Sequence, residues 1–151
     1  MLEYLNQAAL PESIAQAIDY MKGVYDIMWD YRFLFSDVNT LLIRSSELLG
    51  QHNDFTRARV SPLLLKLLTQ MQESGMIAID ERAKQDLAVN MWLLTKYWFD
   101  FDSSMQGRAK ITAAAKKRGV YQTLSLLRPY LQEKHIAEFE ACATKLSRIA
   151  D

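Results

Sequence analysis

Apolar residues recur at spacings of three and four along almost the whole chain, and that periodicity restricts the fold more than any other feature. Alternation of period two is absent, and only 3 prolines and 5 glycines interrupt 151 residues. The chain therefore reads as all-α, a bundle of about six helices without strands. Half of its residues are hydrophobic, enough for the core of one compact domain in a chain too short for two. The 18 basic residues balance 18 acidic ones, so the charge excess expected of a protein that grips nucleic acid by itself is missing. The lone Cys142 cannot form an internal disulfide, the N-terminus has no signal-peptide pattern, and apolar runs such as that at 63–65 stop far short of the roughly 18 residues of a membrane span. A cytoplasmic protein with no membrane partner is expected.

Ile14, Ile18, Met21, Tyr25 and Met28 continue to Arg32 and Phe35 on one stripe, which predicts a long helix over about 12–34 opened by a Ser13/Gln16 capping box. Gly23 costs that helix roughly 1 kcal/mol against alanine. A short helix follows at 37–43. Residues 47–74 are helical again, with a kink or restart at Ser61–Pro62, where proline removes a backbone donor. Gly75 suits the left-handed cap at its end, and Asp80 the N-cap of the next helix.

The segment 81–101 is apolar nearly all round: Leu87, Met91, Leu94, Trp98 and Phe101 form one face, Ala88, Trp92 and Phe99 a second, Leu93 and Tyr97 a third. One small domain does not readily bury such a circumference, so a homodimer is expected, built on this helix and on a helix over 110–131 carrying Val120, Leu124 and Leu127. Residues 100–107 read as a loop between the two. A last helix, 133–149, has the single stripe Ile136, Phe139, Ala143 and Leu146.

Little here suits catalysis. His52 and His135 lack partners at ligand spacing, and His135 with Glu138 reverses the order of Glu-x-x-His and occurs once, so neither a metal nor another cofactor is expected. Phosphate loop, nucleophile elbow and Cys/His pair are absent, which makes the chain no enzyme. What remains is aromatic and thioether surface on two long helices. Met21, Tyr25, Met28 and Trp29 are expected to face Met91, Trp92 and Thr95 around a mostly apolar cavity, with Arg32 and Asn39 as its few polar groups. The Arg32 guanidinium, pointing partly inward, needs a carboxylate such as Asp37, Asp100 or Asp102.

The runs "WDYRFLFSDVNTLLIRSSELL", "LLLKLLTQMQESGMIA", "LAVNMWLLTKYWFDF" and "GVYQTLSLLRPYL" resemble, in order and spacing over residues 14–139, the C-terminal effector domain of one subgroup of TetR-family bacterial transcriptional regulators. That resemblance implies a domain that dimerises through a four-helix bundle and binds a small, mostly hydrophobic ligand. DNA would be contacted only through an N-terminal helix-turn-helix domain, which this reading takes to be absent from the chain. On this reading residues 1–10 are the remnant of the helix joining the two domains, 11–151 are the ligand-binding and dimerisation domain, and the regulator is a repressor. A stand-alone helical protein–protein interaction module is the alternative.

Overall fold

The structure, a computed structural model, describes residues 2–32, 40, 42–107 and 112–147. Among the described residues there are seven α-helices: α1 (Leu2–Gln7), α2 (Ile14–Asp30), α3 (Ser46–Phe55), α4 (Ser61–Glu73), α5 (Glu81–Met105), α6 (Ala113–Ser125) and α7 (Glu133–Ser147). The expected short helix at 37–43 lies largely outside the described residues. No strand occurs among those described; residues Ile77 and Leu131 make one isolated antiparallel bridge, which ties the α4–α5 connection to the turn before α7 through Ala78 N–H to the Tyr130 carbonyl at 2.8 Å.

Helix ends follow local chemistry closely. Ser13 caps α2, its hydroxyl accepting from the Gln16 N–H at 3.3 Å while the Gln16 side chain accepts from the Glu12 N–H at 2.8 Å. Asp80 caps α5 through the Ala83 N–H at 2.9 Å. Gly75 holds φ at +74° beyond the end of α4, the left-handed geometry that leaves L-residues strained. The break near Pro62 takes a specific form. Residues Thr56–Val60 wind as a π-helix between α3 and α4, so the wider turn absorbs the N–H that proline lacks and the axis continues without a gap.

Three boundaries differ from the sequence reading, the first being that α2 ends at Asp30, with Tyr31 as its C-cap, short of the expected 34. The stretch 100–107 is no loop up to Met105: α5 runs on for a further turn, because Asp102 is buried there in a bidentate pair with Arg118 of α6, both N···O distances being 2.7 Å. A polar cluster that looks like loop chemistry is held in helix by a partner distant in sequence. Conversely the segment 110–131 is not one helix. It stops at Ser125 and closes in a 3-10 turn, Arg128–Tyr130, where Pro129 cannot continue the α pattern.

Helix α6 is the hub of the bundle, packed against α2, α5 and α7. Its buried Ala115, Gly119 and Thr123 follow one another every four residues and make a shallow ridge that lets neighbours approach closely. A Cβ on Gly119 would overlap the Tyr25 ring of α2 and the Trp98 indole of α5. Gly23 plays the same part within α2, where the Tyr4 phenol of α1 fills the space above it and donates to the Tyr20 carbonyl at 3.1 Å. The helix-propensity penalty of each glycine is thus exchanged for a helix–helix contact. Lys84 near the start of α5 is buried and bridges to α4, donating to Thr69 Oγ1 at 3.3 Å and pairing with Glu81 at 2.7 Å.

Candidate functional site

Two features line up with the residues singled out in the sequence: an apolar seam inside the bundle and an open groove on α5 and α6. The seam lies where α1, α2, the π turn, α4 and α5 meet. Met21 of α2 and Met91, Trp92 and Thr95 of α5 come together there with Leu5 of α1, around a cavity of about 20 Å³. That volume holds about one water. Methionines and leucines pack closely around it, and the unbranched thioethers are able to adapt their shape.

The other expected wall residues sit beside the seam. Tyr25 is completely buried and its hydroxyl hydrogen-bonds Thr123 Oγ1 at 2.8 Å; its ring meets Phe99 edge-on at 6.0 Å. Burial pushes the Tyr25 phenol well above its ordinary range, against the lowering effect of hydrogen bonds to Thr123 and Thr95, so it stays neutral and serves as packing with one polar tether. Met28 is buried in the same core. Trp29 is half-buried at the end of α2, edge-on to Phe99 at 5.6 Å.

Arg32 lies over the Trp29 indole, 4.1 Å from its centroid, and donates to the Trp29 carbonyl at 2.6 Å. Asp102, a carboxylate expected as its partner, is instead engaged by Arg118. Stacking on the indole and the bond to the Trp29 carbonyl engage the guanidinium at the helix end. Asn39 and Asp37 lie outside the described residues.

The groove is larger. About 610 Å³ is enclosed by Asn90, Leu93, Leu94, Tyr97, Trp98 and Phe101 of α5 together with Gln122 and Leu126 of the α6 end. Leu93 and Phe101 are each 55% exposed and Tyr97 39%, so a nearly continuous apolar stripe runs along one side of α5. Trp98 forms its floor, its indole N–H donating to the Ala115 carbonyl at 2.7 Å.

Of the residues expected at a dimer face, Leu94, Trp98 and Phe101 line this groove, whereas Leu87, Val120, Leu124 and Leu127 are enclosed in the core of their own chain. The difference has a simple reason. The small-residue ridge of α6 draws α2 and α5 onto it, and the larger apolar side chains beside that ridge are buried with it. Leu93 and Tyr97, recognisable as a separate stripe at four-residue spacing, are the outward-facing members that the dimer set omitted.

Among the described residues no group of three or more His, Cys, Asp and Glu side chains is placed to hold a metal. His135 lies 3.8 Å from Glu138. His52 meets Lys96 instead, Nε2 to Nζ at 2.7 Å, and burial, then the lysine charge, lowers its pKa. No helix among the described residues is long and apolar enough to cross a membrane.

A family model described as a bacterial transcriptional repressor, TetR, matches residues 1–139 of the chain. The chain belongs to the TetR family. A solved TetR-family transcriptional regulator from Marinobacter aquaeolei VT8 superposes with a TM-score of 0.76 at 24% identity, over 95% of this chain and 68% of that one. At that identity the likeness speaks for the all-α fold alone, while the family assignment rests on the family model. No curated protein matches the chain. A TetR-family chain is a transcriptional regulator, a class that works by binding and not by catalysis.

Proposed function

We propose that this chain is the effector-sensing and dimerisation part of a TetR-like repressor. A small, mostly hydrophobic effector enters the seam between α2, α4 and α5, and DNA is read by a helix-turn-helix unit joined to the chain through α1. One observation carries the sensing half of this reading: Leu5 of α1 shares the wall of the seam with Met21, Met91, Trp92 and Thr95. Opening the seam to admit a ligand must displace that leucine, and the helix bearing it is the one that would lead to the DNA-reading unit. A ligand that favours the opened arrangement therefore biases the position of α1 by its difference in affinity for the two states.

The dimerisation half rests on the α5 stripe. Leu93, Tyr97 and Phe101, with Leu94 and the Trp98 edge, form an apolar strip whose exposure is unusual for residues of this size in a chain standing alone. A second copy laid across it, α5 and α6 against α5 and α6, makes the four-helix bundle and puts two α1 helices in a fixed relation.

Both halves are testable on the chain as it stands. A panel of apolar compounds is screened by the fluorescence of the tryptophans, one of which, Trp92, is in the seam wall. Each binder is then followed by hydrogen exchange. The reading requires a binder that changes exchange in α1 and in the Met21 turn of α2 together. Binders that leave α1 unaltered would remove the coupling. Leu93→Glu combined with Phe101→Glu should leave the fold intact and yield a monomer by light scattering; a dimer that survives both changes sinks the α5 interface.

A further inference from the structure

A second cavity, of about 350 Å³, opens between α2, α6 and α7, and its lining is dominated by lysine. Lys22 comes from α2, Lys116 and Lys117 from α6, and Lys145 from the last turn of α7. One carboxylate, Asp26, shares the lining and is engaged by Lys116 at 2.6 Å. Lys22 pairs at 3.0 Å with Asp19, which lies outside the lining. Among the described residues Lys117 and Lys145 have no carboxylate partner. Beneath the lysines lie the buried side chains of Val120, Leu146 and Tyr25.

We propose that this cavity binds a small phosphorylated metabolite, with its phosphate oxygens among the four ammonium groups and its carbon body over the side chains beneath them. Four cations, two of them paired with Asp19 and Asp26, leave a local excess of two positive charges in a chain whose 18 basic and 18 acidic residues cancel. Three separate helices bring those charges to one hollow, and a concave low-dielectric wall focuses their field on whatever enters it. Mutual repulsion of the ammonium groups disfavours the empty site, so an anion of more than one charge relieves it. Lysine binds phosphate as a movable point charge, so ammonium groups on long flexible stems can adjust to the oxygens that enter. The volume is at the lower end of that of small-molecule pockets, which suits one or two phosphates with a modest organic body and disfavours a flat macromolecular surface. The opposing account is that the lysine stems merely cover Val120 and Leu146 while their heads stay in water. That account allows no saturable binding.

The probe is inorganic pyrophosphate, titrated calorimetrically into the chain at fixed ionic strength, with chloride and sulfate as anion controls. Binding should saturate at one equivalent per chain, with sulfate weaker. Lys117→Gln with Lys145→Gln, both exposed positions, should weaken it by at least ~10-fold, whereas Lys66→Gln with Lys134→Gln should leave it unchanged. Equal losses in the two double variants, no loss in the first, or heat that never saturates would overturn the proposal. Co-sedimentation with anionic phospholipid vesicles separates the two sources of phosphate: capture on vesicles without pyrophosphate binding would make this a membrane-facing patch and end the metabolite assignment.

Discussion

Replacing Gly119 by alanine tests the central packing claim with a predicted sign. In an exposed helix that change adds about 1 kcal/mol of stability, because alanine restricts the unfolded backbone and suits the helix. At Gly119 the new methyl would fall 2.6 Å from Trp98 Cδ1 and 2.7 Å from Tyr25 Cζ. Neither ring can yield freely. Tyr25 is tethered to Thr123 at 2.8 Å and Trp98 to the Ala115 carbonyl at 2.7 Å, all inside the core. Overpacking costs about 1–3 kcal/mol, and parting one buried hydrogen bond costs about 1–3 kcal/mol more. After the helix gain is subtracted, Gly119→Ala should destabilise by about 1–5 kcal/mol, a fall in Tm of roughly 2–20 °C for a chain of this size. Gly50→Ala in α3, where nothing lies within 4 Å of the added methyl, is the matched control and should gain about 1 kcal/mol. Urea and thermal melts followed by far-UV circular dichroism read both. If Gly119→Ala is as stable as the parent, the Tyr25–Trp98 junction is loose enough to hold a ligand and does not belong to the rigid core.

Asp102→Asn should destabilise by about 1–3 kcal/mol, since it strips the carboxylate from a bidentate pair whose Arg118 side chain is partly hydrated; Arg118→Lys should recover less than half of the pair, and equal stability of Asp102→Asn and parent in urea would count against it. His52 has a pKa lowered below its ordinary 6.5, so the neutral imidazole is favoured in the fold; the stability this contact contributes is held above the ordinary value and is lost as pH falls below it. Protection of α3 amides, taken relative to the intrinsic exchange rate at each pH, should then fall on acidification, and His52→Gln should flatten that pH profile; an unchanged profile places the titrating group elsewhere. Gly23→Ala should evict Tyr4 and loosen α1 with little change in global stability, seen as faster limited proteolysis between α1 and α2; unchanged cleavage would show that Tyr4 does not anchor α1.

Local signals were sufficient wherever an element's ends and type depend on neighbours in sequence. The three–four apolar spacing, the Ser13 and Asp80 caps, the Gly75 terminator and the disturbance before Pro62 each act within one or two turns, and each is where the residues place it. Met91, Trp92 and Thr95 could be placed on one side of α5 on the same grounds, because helical periodicity states which side chains share a face. Periodicity does not state which face meets which neighbour. That was decided by the third dimension: the Ala115, Gly119 and Thr123 ridge set how near α2 and α5 could lie, which enclosed Val120 and Leu124 and left Leu93 and Phe101 outside. The Asp102–Arg118 pair kept α5 helical through a stretch rich in loop-forming residues, and four lysines scattered from position 22 to 145 converged on one hollow. Such contacts join residues from 16 to more than 90 positions apart. Their energies depend on distances that only the folded chain creates, so no reading confined to neighbouring residues contains them.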